Sequence, residues 1–468
     1  MKSTLDNLFK TLSLNSPETS FEVEFWDGTK EKYGAGPKKF KLVLKNKGAI
    51  KRILGGGSLG FGEEFMKGNI LIEGNLQDLI EMEYGQNFID FKLPLKEKLK
   101  IFYNYISSLG TILNYRASEG SMDTRSSLAS LLLRKSSLSE DGDESEALID
   151  SKRNISYHYD IGNDFYSLWL DPTLTYSCAY FKKEDDSLER AQLNKYEHVS
   201  KKLQLKQGET LVDIGCGWGG MMFYAAENYG VKCEGYTLSQ KQYDHIIEEI
   251  KKRNLADSLK VYLKDYREAR GKFDKFVSIG MFEHVGRKFH PVFFDVVKKL
   301  LKPEGIGLLQ TIGSPKDKPS DPWITKYIFP GGFIPALPAI CNIMNQKDLV
   351  FFDIEDLRKH YALTLDKWIE GFEENIDKMR KVLIKSLTEF PKEAKVKMGT
   401  KFSSPGSLER TEEFVRMWRL YLNASSVSFK AGNNRLYQIT FSNGLNNRLP
   451  LTRNYIYSPS SQSERRWK

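Results

Sequence analysis

Phe21, Val23 and Phe25 alternate with Glu22 and Glu24, and Asp27-Gly28 follows directly. Period-two alternation running into an Asp-Gly pair predicts a strand with one buried face that turns back as a hairpin. Phe40, Leu42 and Leu44, set against Lys41, Val43 and Lys45, predict a second strand. The run GGGSLGFG at 55–62 lacks the Gly-Lys-Ser/Thr ending of a phosphate loop and predicts a turn-rich connection. Helical spacing returns at 76–82 and 95–113, and this first α+β module, 1–117, ends near Arg116. Residues 118–151 are Ser-rich, acidic from 140 to 146 and poor in aromatics, the pattern of a flexible linker, with one short helix predicted at 128–133. From Lys152 strand patterns alternate with helical ones, which predicts an α/β domain with a largely parallel sheet over 152–457, before a disordered polar tail at 458–468.

Composition narrows the class. In 468 residues, 40% hydrophobic and 12% aromatic content supplies enough burial for folded domains, and excludes a wholly disordered chain. Cys178, Cys216, Cys233 and Cys341 form no Cys-x-x-Cys pair and no zinc spacing, so they read as free thiols and no structural metal is expected. The N-terminal residues show no apolar stretch of signal-peptide type, and no segment approaches the roughly 20 apolar residues of a membrane span. The nearest, 328–344, is interrupted by Pro330, Pro335 and Pro338. A cytoplasmic protein with at most peripheral membrane contact is therefore expected. The formal charge of +9 suits nucleic acid, an anionic membrane or solubility alone, because Lys38, Lys39, Lys41, Lys45, Lys47, Lys51 and Arg52 are dispersed rather than blocked.

The chemistry is concentrated after Gly208. A short apolar strand, Leu211-Val212-Asp213-Ile214, leads into Gly215-Cys216-Gly217-Trp218-Gly219-Gly220 and then a helix. Glycines at a strand-to-helix turn let a ligand approach the backbone closely, as at the switch point of an open parallel sheet. The string VDIGCGWGG resembles the first motif of class I S-adenosylmethionine methyltransferases, with Asp213 organising the loop. The next strand ends at Thr237, where most such enzymes carry an acidic residue. Thr237-Leu238-Ser239 with Gln242 resembles instead the cyclopropane-fatty-acyl-phospholipid synthases and the related mycolic acid cyclopropane synthases. Further segments resemble the same family: His158-Tyr159-Asp160, Thr175-Tyr176-Ser177-Cys178, Gly280-Met281-Phe282-Glu283-His284, Tyr327-Ile328-Phe329-Pro330-Gly331-Gly332 and Tyr421-Leu422-Asn423-Ala424. Gly57-Ser58-Leu59-Gly60-Phe61-Gly62 resembles the extra N-terminal module of the phospholipid enzymes.

The resemblance implies a Rossmann-like catalytic domain with a smaller N-terminal domain. It implies S-adenosylmethionine held by Tyr176, Ser177, Asp213, Gly215, Cys216, Gly217, Thr237, Leu238, Ser239, Gln242, Asp265, Tyr266 and Arg267. It further implies bicarbonate held by Cys178, Glu283, Gln310, Ile312 and Tyr361. In the family's reaction a cis alkene attacks the sulfonium methyl, and the resulting cation loses a proton from the new methyl as the ring closes. A base beside a cation is needed, with aromatic faces to stabilise the charge and exclude water, for which Tyr176, Trp218 and Phe282 are candidates. The implied partner is unsaturated phospholipid in an anionic membrane surface, and the N-terminal module is expected to recruit bilayer and to support a homodimer.

Two positions depart from the family. Gln310 stands where His is usual, and an amide donates hydrogen bonds but carries no proton near neutral pH. Ser425 stands where many members have Cys, which disfavours a Cys nucleophile there. The alternative product is accordingly a methyl-branched or methylene-bearing chain. A nucleic-acid methyltransferase is disfavoured, because no Asn/Asp-Pro-Pro-Tyr/Phe motif follows the fourth strand.

Overall fold

The computed structural model describes residues 2–14, 19–84, 158, 161–317, 320–389 and 407–458. The helix expected at 95–113, the linker at 118–151 with its short helix, and the tail beyond 458 lie outside the described residues. The chain divides into two compact units, Met1–Asp150 and Ser151–Lys468.

In the first unit the alternating segments become β1 (Ser20–Glu24), β2 (Lys30–Tyr33) and β3 (Lys38–Leu44), joined by β4 (Ile70–Gly74) in the order β2-β1-β3-β4. β1 and β2 form the antiparallel hairpin, and Gly28 takes φ 80 at its turn. The inward faces stack, with Phe21 5.1 Å from Phe40 and 5.4 Å from Tyr33, against Leu5 and Phe9 of helix α1 (Lys2–Leu14). The glycine-rich run is not a turn connection. It lies inside helix α2 (Lys47–Met66), which is kinked at Gly57 with φ 54 and ψ −133. A Cβ on Gly60 would sit 2.2 Å from the Arg52 carbonyl oxygen, so the glycines permit the helix halves to approach closely. Buried Glu64 holds this kink by accepting from Arg52 Nε at 2.6 Å and Asn69 Nδ2 at 2.8 Å. A third helix, α3 (Leu76–Tyr84), follows β4. Several of the dispersed lysines face acidic neighbours: Lys41 lies 2.8 Å from Glu24, Lys39 3.6 Å from Asp78 and Lys38 3.8 Å from Glu22.

The second unit is an α/β fold of the expected class. Its seven-stranded sheet runs β10 (Leu349–Asp356), β11 (Arg435–Asn443), β9 (Leu301–Gly313), β8 (Phe273–Ile279), β5 (Thr210–Ile214), β6 (Lys232–Thr237), β7 (Leu259–Leu263). The five strands from β9 to β7 are parallel, and β11 is antiparallel to both β9 and β10. Both faces of β5 are covered, which is why its sequence is an apolar run rather than an alternation. Leu211 packs with Tyr196, Met222 and Ile246 on one side, while Val212 and Ile214 join Phe293, Phe294 and Ile340 on the other. These residues come from α5 (Leu188–Lys202), α6 (Gly220–Tyr229) and α7 (Gln240–Lys252), and from α8 (His290–Leu300) and α10 (Leu337–Gln346). Short helices α4 (Asn163–Tyr166) and α9 (Pro322–Tyr327) precede α5 and α10; α11 (Arg358–Glu374) packs on β11 and on α13 (Ser407–Lys430), and α12 (Ile376–Glu389) packs on α13 and α4. Pro338 occupies the first turn of α10, so the apolar stretch at 328–344 is broken as its prolines require. No helix among the described residues is long and apolar enough to cross a membrane. From β5 the chain steps outward to β6 and β7, then returns to β8 on the other side, which places a topological switch point at the carboxyl end of β5.

Candidate active site

At that switch point the backbone makes the turn the glycines allow. Gly215, Gly217 and Gly219 all take positive φ, at 78, 57 and 85, and α6 begins at Gly220. Gly215 and Cys216 donate their N–H groups to the Tyr236 carbonyl, tying the turn to the end of β6. A Cβ on Gly215 would lie 2.6 Å from Met281, and one on Gly220 would meet the Tyr196 hydroxyl, so both are held by packing. Gly217 differs: a Cβ there would meet nothing within 4 Å. Its backbone forms part of the wall of a cleft of about 1150 Å³, open mouth included.

The cleft gathers Tyr176, Ser177, Asp213, Gly215, Cys216, Gly217, Thr237, Leu238, Gln242, Asp265, Tyr266 and Arg267 from the ends of three strands, β5, β6 and β7, and the segment before α5. Ser239 stands apart. It caps α7, accepting from Gln242 N, and is wholly buried behind the cleft. Thr237 Oγ1 donates to Gln242 Oε1 at 2.7 Å and accepts from Ser239 N at 3.2 Å. A carboxylate at 237 would have no proton to give Gln242 Oε1, so the threonine belongs to a different donor arrangement. Asp265 accepts from Arg267 Nε at 2.7 Å and Nη2 at 3.1 Å, which fixes the guanidinium near Tyr266 and Phe289 at the cleft rim. Cys216 both lines the cleft and packs into the core, and burial pushes its thiol well up in pKa, away from thiolate chemistry.

A second group adjoins this cleft through β9 and the turn after β8. Glu283 is buried and accepts from Ile312 N at 2.5 Å through Oε1, the Thr311 hydroxyl also favours its charged form, and Oε2 has no hydrogen-bond partner of good geometry among the described residues. Desolvation pushes its carboxyl up to about 7. The Ile312 N–H is thus committed to orienting Glu283. Gln310, 1% exposed on the same strand, is held through its carbonyl oxygen by Gln438 Nε2 at 2.9 Å, an amide partner the sequence did not point to. Cys178 is buried with its thiol on the Ala179 carbonyl, and burial raises its pKa. Tyr361 packs on Phe429 and Trp368.

An aromatic wall joins the two groups. Tyr176 donates to the Tyr421 hydroxyl at 3.1 Å and packs on Trp368 at 5.1 Å, while Trp218 packs on Tyr166 at 5.2 Å. His158 sits between Phe329 at 4.6 Å and Trp418 at 5.2 Å, and desolvation pushes it down to about 3, so it is neutral. The stripe Phe414, Met417, Trp418 and Tyr421 on α13 is buried, with Trp418 and Tyr421 in this wall. Phe282 does not join it: its ring is enclosed by His290, Phe293 and Phe294 in the core on the far side of the sheet.

Comparison with known proteins agrees with this geometry. Residues 147–390 match the family model described as mycolic acid cyclopropane synthetase, and residues 8–91 match a domain of unknown function. The cyclopropane-fatty-acyl-phospholipid synthase of Escherichia coli (strain K12) is 35% identical over 415 residues, covering 88% of this chain and 90% of that protein. The chain belongs to the cyclopropane synthase family. Among solved structures, the cyclopropane synthase MmaA2 from Mycobacterium tuberculosis superposes with a TM-score of 0.54 at 31% identity, over 62% of this chain and 98% of that one. Mycolic acid cyclopropane synthase CmaA1, complexed with SAH and CTAB, gives a TM-score of 0.53 at 31% identity, over 62% and 98%. As a member of this family the protein is an S-adenosylmethionine-dependent methyltransferase with a class I fold. The open backbone at Gly217 fits a ligand that must lie directly on the glycine turn. Beyond the motif residues, the cleft is also lined by Lys195, Thr173, Thr175, Lys264 and His284. Of these Lys195 is the one whose chemistry demands a partner.

Proposed function

We propose that this cyclopropane synthase acts on cis double bonds of phospholipid acyl chains and closes the transferred carbon into a ring, with bicarbonate bound beside Glu283. The observation that supports this reading is the buried Glu283 Oε2, without a well-formed hydrogen bond among the described residues, in a group that adjoins both the cofactor cleft and an aromatic wall. A buried carboxyl pushed up to about 7 beside an apolar wall exchanges its proton near neutral pH, which suits a small oxyanion that shares a proton with it. Gln310, held by its carbonyl oxygen, keeps its amide N–H bonds as donors to the same anion. Bound S-adenosylmethionine supplies the sulfonium methyl, and bicarbonate supplies a base small enough for this site.

The chain's own groups do the rest. Gln242 has its carbonyl oxygen taken by Thr237, which leaves its N–H bonds for cofactor hydroxyls. Tyr176 and Trp218 place π faces where positive charge develops, each worth about 2 kcal/mol when desolvated. The same rings exclude water that would trap the cation as an alcohol.

Substrate class is tested with the purified protein, S-adenosylmethionine and vesicles of cis-unsaturated phosphatidylglycerol. S-adenosylhomocysteine release is expected to require the vesicles and to fall steeply as salt is raised, because an anionic bilayer contributes about 1 kcal/mol per nearby Lys or Arg and salt screens it. Equal turnover on the dispersed free fatty acid at all salt concentrations would overturn the phospholipid reading.

A further inference from the structure

Lys195 lies on the inner face of α5, is 1% exposed and lines the cofactor cleft. Its Nζ donates to Ser177 Oγ at 3.1 Å and lies 4.4 Å from the centre of the Tyr196 ring, so among the described residues one oxygen accepts from a group with three N–H bonds. The surrounding carboxylates do not supply the rest. Asp171 spends its oxygens on Thr173 N, Thr173 Oγ1 and Thr175 N. Asp213 lines the same cleft, and its charge and that of Lys195 act on each other, yet the two form no ion pair within 4 Å. Asp213 also accepts no hydrogen bond from another described residue. One cleft therefore holds a buried ammonium with no carboxylate in contact and, apart from it, the Asp213 carboxyl, which desolvation pushes up to about 7.

A buried ammonium and a carboxyl group set apart from it match the two ends of a zwitterion, and the amino-acid end of S-adenosylmethionine is one. We propose that Lys195 is a cofactor-positioning residue whose ammonium binds the carboxylate of the cofactor's amino-acid end, with Asp213 facing the ammonium. The helix supports the same role. Gln192, one turn earlier on α5, donates to the Thr175 and Ser177 carbonyls at 3.3 and 3.0 Å, so one helix face sets both the cleft edge and the cation. The inference rests on the cleft being the S-adenosylmethionine site.

The test is calorimetric and needs no turnover. The full chain and its Lys195→Met variant are titrated with S-adenosylhomocysteine and with its decarboxylated analogue, which keeps the amine, sulfur and adenosine. Wild type is expected to bind S-adenosylhomocysteine about 10- to 100-fold more tightly than the analogue, the range of a charge-assisted hydrogen bond, and the variant is expected to lose that preference. Equal weakening of both ligands in the variant would show that Lys195 only braces Ser177, and would overturn the proposal. Failure of wild type to bind either ligand would instead refute the cofactor assignment of the cleft. Should Lys195→Met fail to fold, Lys195→Gln removes the charge while keeping a donor for Ser177. It is expected to lose the preference too, and a preference kept at the wild-type level would contradict the assignment.

Discussion

Glu283→Gln is expected to abolish nearly all turnover while making the protein more stable above pH 7. Glu283 is buried, and desolvation pushes its carboxyl up to about 7 in the fold, against about 4.3 in an unfolded chain. A carboxyl raised in this way favours its neutral form on folding. Below about pH 4 it is protonated in both states and costs nothing. As pH rises from there through 7, stability is lost, to a total of about 3 kcal/mol. The amide keeps an oxygen to accept from Ile312 N and cannot ionise. The melting temperature of Glu283→Gln should therefore match wild type at pH 4 and exceed it at pH 8. Turnover should fall about a thousandfold, the scale of a lost acid–base group. A variant that keeps a tenth or more of wild-type turnover would remove Glu283 from the chemistry, and an unchanged melting difference between the two pH values would refute its burial as a neutral acid.

The second large effect is expected at Gly217. A valine there is strained, because φ 57 costs an L-residue about 1–2 kcal/mol, and its side chain projects into the cleft. Loss of S-adenosylhomocysteine affinity by at least about 100-fold is expected in titration. Gly208→Val separates strain from occupancy, since Gly208 has φ 82 and equally open surroundings but does not line the cleft. That control should melt at a lower temperature and bind normally. Equal affinity loss in both variants would mean that the turn's conformation, and not its open face, governs binding.

What was legible in the sequence follows from how local each feature is. The strands of the first unit show in the alternation of Phe21, Val23 and Phe25 because one sheet face is buried. The cofactor turn shows because positive φ at Gly215, Gly217 and Gly219 demands glycine. The run at 55–62 misleads for the complementary reason. Glycines weaken helix propensity and so predict a turn, whereas Gly60 is there to let helix backbone meet helix backbone. Phe282 misleads because neighbouring residues of one turn can face opposite sides of a sheet, Glu283 toward the site and Phe282 into the core. Lys195 belongs to no motif, and α5, in which it lies, is rich in charged residues. Its polar residues Gln192, Lys195 and Lys202 in fact share a buried face with Val199, spaced by three, four and three, and that periodicity was the available clue. The Gln310–Gln438 pair joins strands 128 residues apart in sequence, a distance no local pattern reports.

The transferred carbon is expected to end as a ring on a phospholipid acyl chain. Proton NMR of lipid extracted from vesicles after incubation with the protein and S-adenosylmethionine tests it most directly. Ring-methylene signals upfield of the terminal methyl are expected, growing as the vinyl signals decline in step. Loss of vinyl signals with a new methyl-branch doublet, or a new exomethylene pair, and no upfield signal would contradict it, and would place the consequence of Gln310 at the deprotonation step.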